Sequence, residues 1–163
     1  MNACESILGL SPYQGGKPIE ELARELGLTK ISKLASNENP LGISSKVKEA
    51  VNDSLSSINR YPDGNCFELK KSIATKHNVT PEMISLGNGS NELLELIARV
   101  FVSKQTDEVI FSQYAFVVYP LVTQALGATA VVSPAKNFGH DLDSMLSMIT
   151  TNTKLIFVAN PNN

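Results

Sequence analysis

Residues 107–133, DEVIFSQYAFVVYPLVTQALGATAVVS, decide how this chain folds. DEVIFS, residues 107–112, reads as a short strand. Residues 115–127 carry apolar side chains at helical spacing and stop at Gly127, where a glycine ends a helix without strain. A second apolar run, ATAVVS, follows at once. Two short strands joined through a helix are connected in parallel, because a parallel pair needs a crossover of this length. Pro120 lies inside the helical stretch, so the helix has to begin just before it or kink there.

The same alternation extends in both directions. Upstream, PEMISLGNGS reads as a short strand entering a glycine-rich turn, and NELLELIARVFVS as a strongly periodic helix. Downstream, DLDSMLSMIT is a helix and KLIFVAN a further strand, too apolar to sit at a solvent edge. The expected class is α/β, a mostly parallel sheet covered by helices. Before residue 80 the pattern differs. Residues 1–18 end in SPYQGGKP and read as an arm; IEELARELGL is a short amphipathic helix closed by Gly27. ISKLASNENPLG is a brief strand entering a loop. SKVKEAVNDSLSSI is a helix capped by Ser44 or Ser45, NRYPDGN a turn, and CFELKKSIATKHN a helix ending at Asn78. The division expected is 1–79 and 80–163.

Composition narrows the function classes. The 163 residues hold 14 basic and 16 acidic side chains, a formal charge of −2, and no basic run that would point to nucleic acid or an anionic membrane. Cys4 and Cys66 are far apart and lack CxxC or histidine context, so reduced thiols are expected, not a disulfide or metal site. MNACESILGL has no basic region followed by a long apolar stretch, and no apolar run is long enough to span a bilayer. A cytoplasmic location is the expectation.

The turn Gly87-Asn88-Gly89-Ser90 joins a strand to a helix. Free N–H groups in a first helical turn favour a phosphate, yet the spacing is neither G-x-G-x-x-G nor a Walker loop. From this stretch alone an ordinary capped helix start, with Ser90 or Asn91 as N-cap, explains it equally well. His77 ends a polar helix and His140 sits in the turn FGHDLD; neither is assigned a catalytic role.

Taken together, LASNENPLG, RYPDG, LGNGSNELLELIARVF, QYAFVVYPLVTQALGA and NPNN occur in an order and spacing that resemble the N-terminal half of the histidinol-phosphate aminotransferase family. These are pyridoxal 5′-phosphate enzymes of the fold type I aminotransferase superfamily. The resemblance runs from SPYQGGKPIEEL to the last residue. It implies the first part of the large α/β domain, with a sheet ordered 3-2-4-5-6-7-1 of which strands 1 to 4 are present, and a helical N-terminal segment belonging to the small domain and dimer arm. It implies a phosphate cup at Gly89, Ser90, Asn91 and Glu92, and Tyr114 stacked on the cofactor ring. Asn163 would donate to the cofactor's phenolic oxygen, with Asn162 second to it. Tyr61 would reach the phosphate of a partner subunit, while Tyr13, Glu38 and Asn39 would lie on segments that close over the substrate.

The resemblance also implies what the chain lacks. The lysine that anchors the cofactor, the acid facing the pyridine nitrogen and the arginines that clamp a substrate anion would all follow residue 163. No catalytic residue is therefore expected within the chain, which is read as an inactive fragment, with pyridoxal 5′-phosphate absent or weakly bound, of a homodimeric enzyme that transfers an amino group between histidinol phosphate and 2-oxoglutarate in histidine biosynthesis. A threonine-phosphate decarboxylase or an aromatic aminotransferase shares much of this pattern, and a non-catalytic phosphate-binding α/β module stands as an alternative of another class.

Overall fold

The computed structural model describes residues 3–162. In chain order the elements are α1 (Glu5–Leu8), α2 (Ile19–Leu26), α3 (Ser45–Ser54), α4 (Phe67–His77), α5 (Ser90–Phe101), β1 (Glu108–Ser112), α6 (Val118–Ala125), β2 (Thr129–Ser133), β3 (Ala135–Lys136), β4 (Gly139–His140), α7 (Leu142–Ser147) and β5 (Thr153–Ile156). Single 3-10 turns occupy Leu55–Ser57 and Pro81–Met83. Two compact units result. One contains the described residues up to Tyr13 together with those from Ser85 onward, and the other is Gln14–Ile84.

The first unit is built on β1. This strand pairs in parallel with β2 on one side, from Glu108 opposite Thr129 to Ser112 opposite Ser133. On the other side it pairs in parallel with β5, with a register irregularity between Glu108 and Val109. The order β2-β1-β5 is the 3-2-4 portion of the expected sheet. Val109 and Ile110 are wholly buried, as a central strand with both faces covered requires. Val109 and Phe111 pack with Val102, Tyr119 and Phe157 in one cluster. Within it the rings of Tyr119 and Phe157 lie stacked at 4.4 Å and 5°, and Phe116 meets Tyr119 edge-on at 6.0 Å. Pro120 falls in the first turn of α6, where no helical hydrogen bond is lost, so the helix is not kinked. Thr123, buried in α6, returns its hydroxyl proton to the Tyr119 carbonyl at 2.8 Å.

The loop from α5 into β1 is fastened by Asp107. Its buried carboxylate accepts from the Ser103 and Lys104 N–H groups at 2.8 and 2.9 Å. Those bonds, the Ser103 N–H first, hold its pKa below the usual carboxylate range.

The second unit is helical. Gly27 closes α2 in the left-handed conformation, φ +63°, and Asn78 does the same for α4 at φ +54°. Asp63, in RYPDG, accepts from the N–H groups of Asn65 and Phe67, both at 2.9 Å, and so caps the start of α4. Those bonds, with Phe67 the larger cause, lower its pKa.

Five local expectations differ from the structure. The strand expected over KLIFVAN ends at Ile156, and β5 is the outermost strand of the three among the described residues, since no further strand pairs with it there. Residues 31–34 form no strand. Ile84–Leu86 has no ladder partner among the described residues, and the segment before it is a 3-10 turn. The turn FGHDLD belongs instead to a two-residue antiparallel ladder, Ala135 with His140 and Lys136 with Gly139. Ser44 stands at the N-cap of α3 but its side chain makes no capping bond. Among the described residues, no helix is long and apolar enough to cross a membrane.

Two outcomes follow from this packing. Ile110→Ala should cost about 2–5 kcal/mol in urea unfolding, whereas Val132→Thr, on a half-exposed side chain, should shift stability by roughly 0.5 kcal/mol or less. Because the folded pKa of Asp107 is depressed, its contribution is complete above the unfolded value of about 3.9 and is lost as pH falls through the lower folded value. Asp107→Asn should therefore lower the melting temperature at neutral pH and flatten its decline below about pH 4. An unchanged acid profile would contradict this.

Candidate functional site

The glycine-rich turn is shaped for a donor-lined helix start. Gly89, the residue before α5, has φ +80° and ψ 174°, a conformation essentially restricted to glycine. Its N–H bonds the Gly87 carbonyl at 2.9 Å. The N-cap is Gly89, not Ser90 or Asn91, and it has no side chain to offer the first-turn N–H groups. Glu92 instead folds back, and its Oε2 accepts from the Asn88 N–H at 2.5 Å. A Cβ at Gly87 would lie 2.7 Å from that same oxygen and 3.2 Å from Leu93 Cγ. Two glycines thus serve different ends here, one for backbone conformation and one for space. The first-turn N–H groups of α5 remain directed out of the helix end, where the dipole favours an anion.

A second group of expected residues lies at the carboxyl edge of the sheet. Ser112 and Ser133, the last residues of β1 and β2, are buried. Tyr114 follows β1 two residues later and is 49% exposed, so its ring is not held by the core. It meets the ring of Phe138 at 5.4 Å and 37°. Asn162 donates through Nδ2 to the Tyr114 carbonyl at 3.0 Å and to the Phe138 carbonyl at 3.2 Å. His140 Nε2 lies 2.7 Å from the Ala159 carbonyl, which fixes that nitrogen as the donor. Ser112 Oγ, His140 Nδ1 and Asn162 Oδ1 are buried polar atoms without a protein partner.

The remaining expected residues are placed as follows. Tyr13 is on the arm of the first unit and 55% exposed. Tyr61, Glu38 and Asn39 belong to the helical unit. Tyr61 is fully exposed. Glu38 pairs with Lys33 at 2.6 Å. Asn39 is engaged at both ends, accepting from the Leu41 N–H and donating to the Gly42 carbonyl, each at 3.0 Å. Asn163 lies outside the described residues. Phe138 and His140 join Tyr114 and Asn162 although neither was singled out for the site. The one available signal was GHD following a turn, which also caps α7: Asp141 Oδ1 accepts from the Ser144 N–H at 3.1 Å.

Comparison with known proteins gives the context. Residues 29–163 match the sequence model of the family described as aminotransferase class I and II. A curated histidinol-phosphate aminotransferase 1 of Mannheimia succiniciproducens is 59% identical over 157 residues, covering 96% of this chain and 43% of that protein. Its namesake in Idiomarina loihiensis is 60% identical over 154 residues, covering 94% and 42%. The chain thus spans somewhat under half the length of the curated relatives it matches. Among solved structures, histidinol-phosphate aminotransferase from Sinorhizobium meliloti in complex with pyridoxal 5′-phosphate aligns with a TM-score of 0.84 at 24% identity, over 98% of this chain and 42% of that one. Aspartate aminotransferase from Thermus thermophilus with maleate aligns at 0.81 and 22% identity, over 100% and 46%. At these identities the two structures establish the fold.

Gly89→Ala should cost about 1–3 kcal/mol in denaturant unfolding, since the Cβ opposes the backbone conformation and not a neighbour. A neutral substitution would mean the turn is not held as described.

Proposed function

The chain belongs to the aminotransferase class I and II family, and from that premise we propose that it forms the cofactor-cradling N-terminal part of a histidinol-phosphate:2-oxoglutarate aminotransferase. The observation carrying this reading is its high identity, across nearly all of the chain, to curated proteins of that name. The activity proposed is that of the whole enzyme, working as a cytoplasmic homodimer in histidine biosynthesis. Residues 1–79 would supply the arm and the helical part of the small domain, and 80–163 the first half of the large domain.

The residues present fit pyridoxal 5′-phosphate. An N-terminus without a side-chain cap suits the phosphate, and the buried, unpartnered Ser112 Oγ, His140 Nδ1 and Asn162 Oδ1 gather polar capacity at the carboxyl edge. When bound, the cofactor supplies an aldehyde carbon for the amino group and a ring that takes up the electron pair released at the substrate carbon. The chain's own residues bind and orient. Gly89, Ser90, Asn91 and Glu92 would hold the phosphate through main-chain N–H groups, while the Glu92 carboxylate holds the Asn88 N–H. Tyr114 would cover one face of the ring and exclude water from it. Asn163 would donate to the phenolic oxygen, and Tyr61 would reach a partner subunit's phosphate. Tyr13, Glu38 and the loop shaped by Asn39 would close over the substrate.

The test is amino transfer by the full-length enzyme supplied with pyridoxal 5′-phosphate, histidinol phosphate and 2-oxoglutarate. Glutamate should form, and omitting the phosphate ester from the amino donor should abolish most of the rate. Equal or faster turnover of aromatic amino acids, with no use of histidinol phosphate, would overturn the substrate assignment. Tyr114→Ala should weaken cofactor binding by roughly three- to tenfold, about 0.5–1.5 kcal/mol.

A further inference from the structure

We propose that Asn162 and His140 are positioning residues: they clasp the three loops that leave the sheet and so hold the ring of Tyr114 in one orientation. This deepens the reading of the site given above and rests on it for the identity of what Tyr114 faces. The sheet order places β2 and β5 on opposite sides of β1. The hairpin that follows β2 therefore has to cross the carboxyl end of β1 before it can touch the segment leaving β5. It touches that segment twice. His140, at the end of the hairpin, donates to the Ala159 carbonyl at 2.7 Å. Asn162 donates back to the Phe138 carbonyl at the hairpin's tip, 3.2 Å away. The other proton of the same Nδ2 goes to the Tyr114 carbonyl, in the loop leaving β1, at 3.0 Å. One carboxamide thus joins loops 24 and 48 residues distant in sequence.

The hairpin tip is built under strain that this clasp explains. Asn137 and Phe138 both have positive φ, +51° and +63°. A two-residue hairpin turn of that kind favours glycine at the second position, and phenylalanine there is uncommon. The unfavourable conformation sets the Phe138 ring against Tyr114, at 5.4 Å. Phe138 is itself 76% exposed, so core burial does not place it there. Main chain and ring of Tyr114 are thereby fixed from two sides: the carbonyl by Asn162 and the ring by the tilted contact with Phe138. Residues held in sparsely populated conformations persist where the surroundings over-determine them, commonly beside a site that needs a fixed geometry.

The experiment is residue-resolved amide hydrogen exchange on the chain and its Asn162→Asp, Asn162→Ala and Phe138→Gly variants. It is followed by titration of the full-length enzyme, carrying the same substitutions, with pyridoxal 5′-phosphate, read by absorbance and by the circular dichroism induced in the bound cofactor. Asn162→Asp keeps the shape and removes both donated protons. Exchange at Gln113, Ala115 and His140 should rise about tenfold in both Asn162 variants, while Val109 and Ile110 in β1 stay unchanged. Phe138→Gly relieves the turn and should leave Gln113 exchange near its original rate. In Asn162→Asp and Phe138→Gly alike, the cofactor should bind several-fold more weakly, with a smaller induced dichroism per bound molecule. Exchange within twofold of the parent in Asn162→Asp would overturn the clasp. Faster exchange with unaltered dichroism and affinity would overturn the positioning role and leave a merely structural tie. Failure of the full-length enzyme to bind pyridoxal 5′-phosphate would count against the proposed function and against positioning for that ligand, with the exchange rates still deciding whether the clasp exists.

Discussion

Parallel pairing on both sides of β1 is the constraint on which the first unit depends. A central parallel strand has to be buried on both faces, and Val109, Ile110 and Phe111 meet that demand. Everything useful then happens where the strands run out. Parallel strands end together, so β1, β2 and β5 deliver Ser112, Ser133 and the segment after Ile156 to one edge. Loops that are far apart in sequence become neighbours there without any requirement on their own composition. This is the general reason that α/β proteins bind ligands at the carboxyl ends of their strands.

The elements most legible in the sequence were those with a long period or a dense apolar run. The helix at Ser90–Phe101 and the strand Glu108–Ser112 differ from their expected limits by one or two residues. Pro120 in the first helical turn and Gly27 and Asn78 at helix ends obeyed local rules that need no tertiary information. The α/β class followed from the alternation of such elements, and the family from motifs in register.

What escaped was set by contacts and not by pattern. Ala135–Lys136 and Gly139–His140 are too short to show a period, and their pairing is recorded nowhere in the alternation of side chains. Residues 31–34 and Ile84–Leu86 are apolar enough to read as strands but lack a partner among the described residues, and a strand exists only by pairing. Asp63 and Asp107 looked like ordinary turn acids, yet each fastens a loop through two main-chain donors. In the turn, the glycines were visible in the sequence, but the bond from the Asn88 N–H to the Glu92 carboxylate was not. His140 and Asn162 are polar residues in loops, and only the fold brings them together.

The proposed function stands on the turn at Gly87–Glu92 and the ring of Tyr114 facing the same bound pyridoxal 5′-phosphate. A crystal structure of the full-length protein grown with that cofactor tests it most directly. The account requires the phosphate oxygens within hydrogen-bond distance of the Ser90 and Asn91 N–H groups, the Glu92 carboxylate still turned to Asn88, and the Tyr114 ring parallel to the pyridine. A phosphate seated elsewhere, or a Tyr114 ring swung away from the bound cofactor, would contradict it.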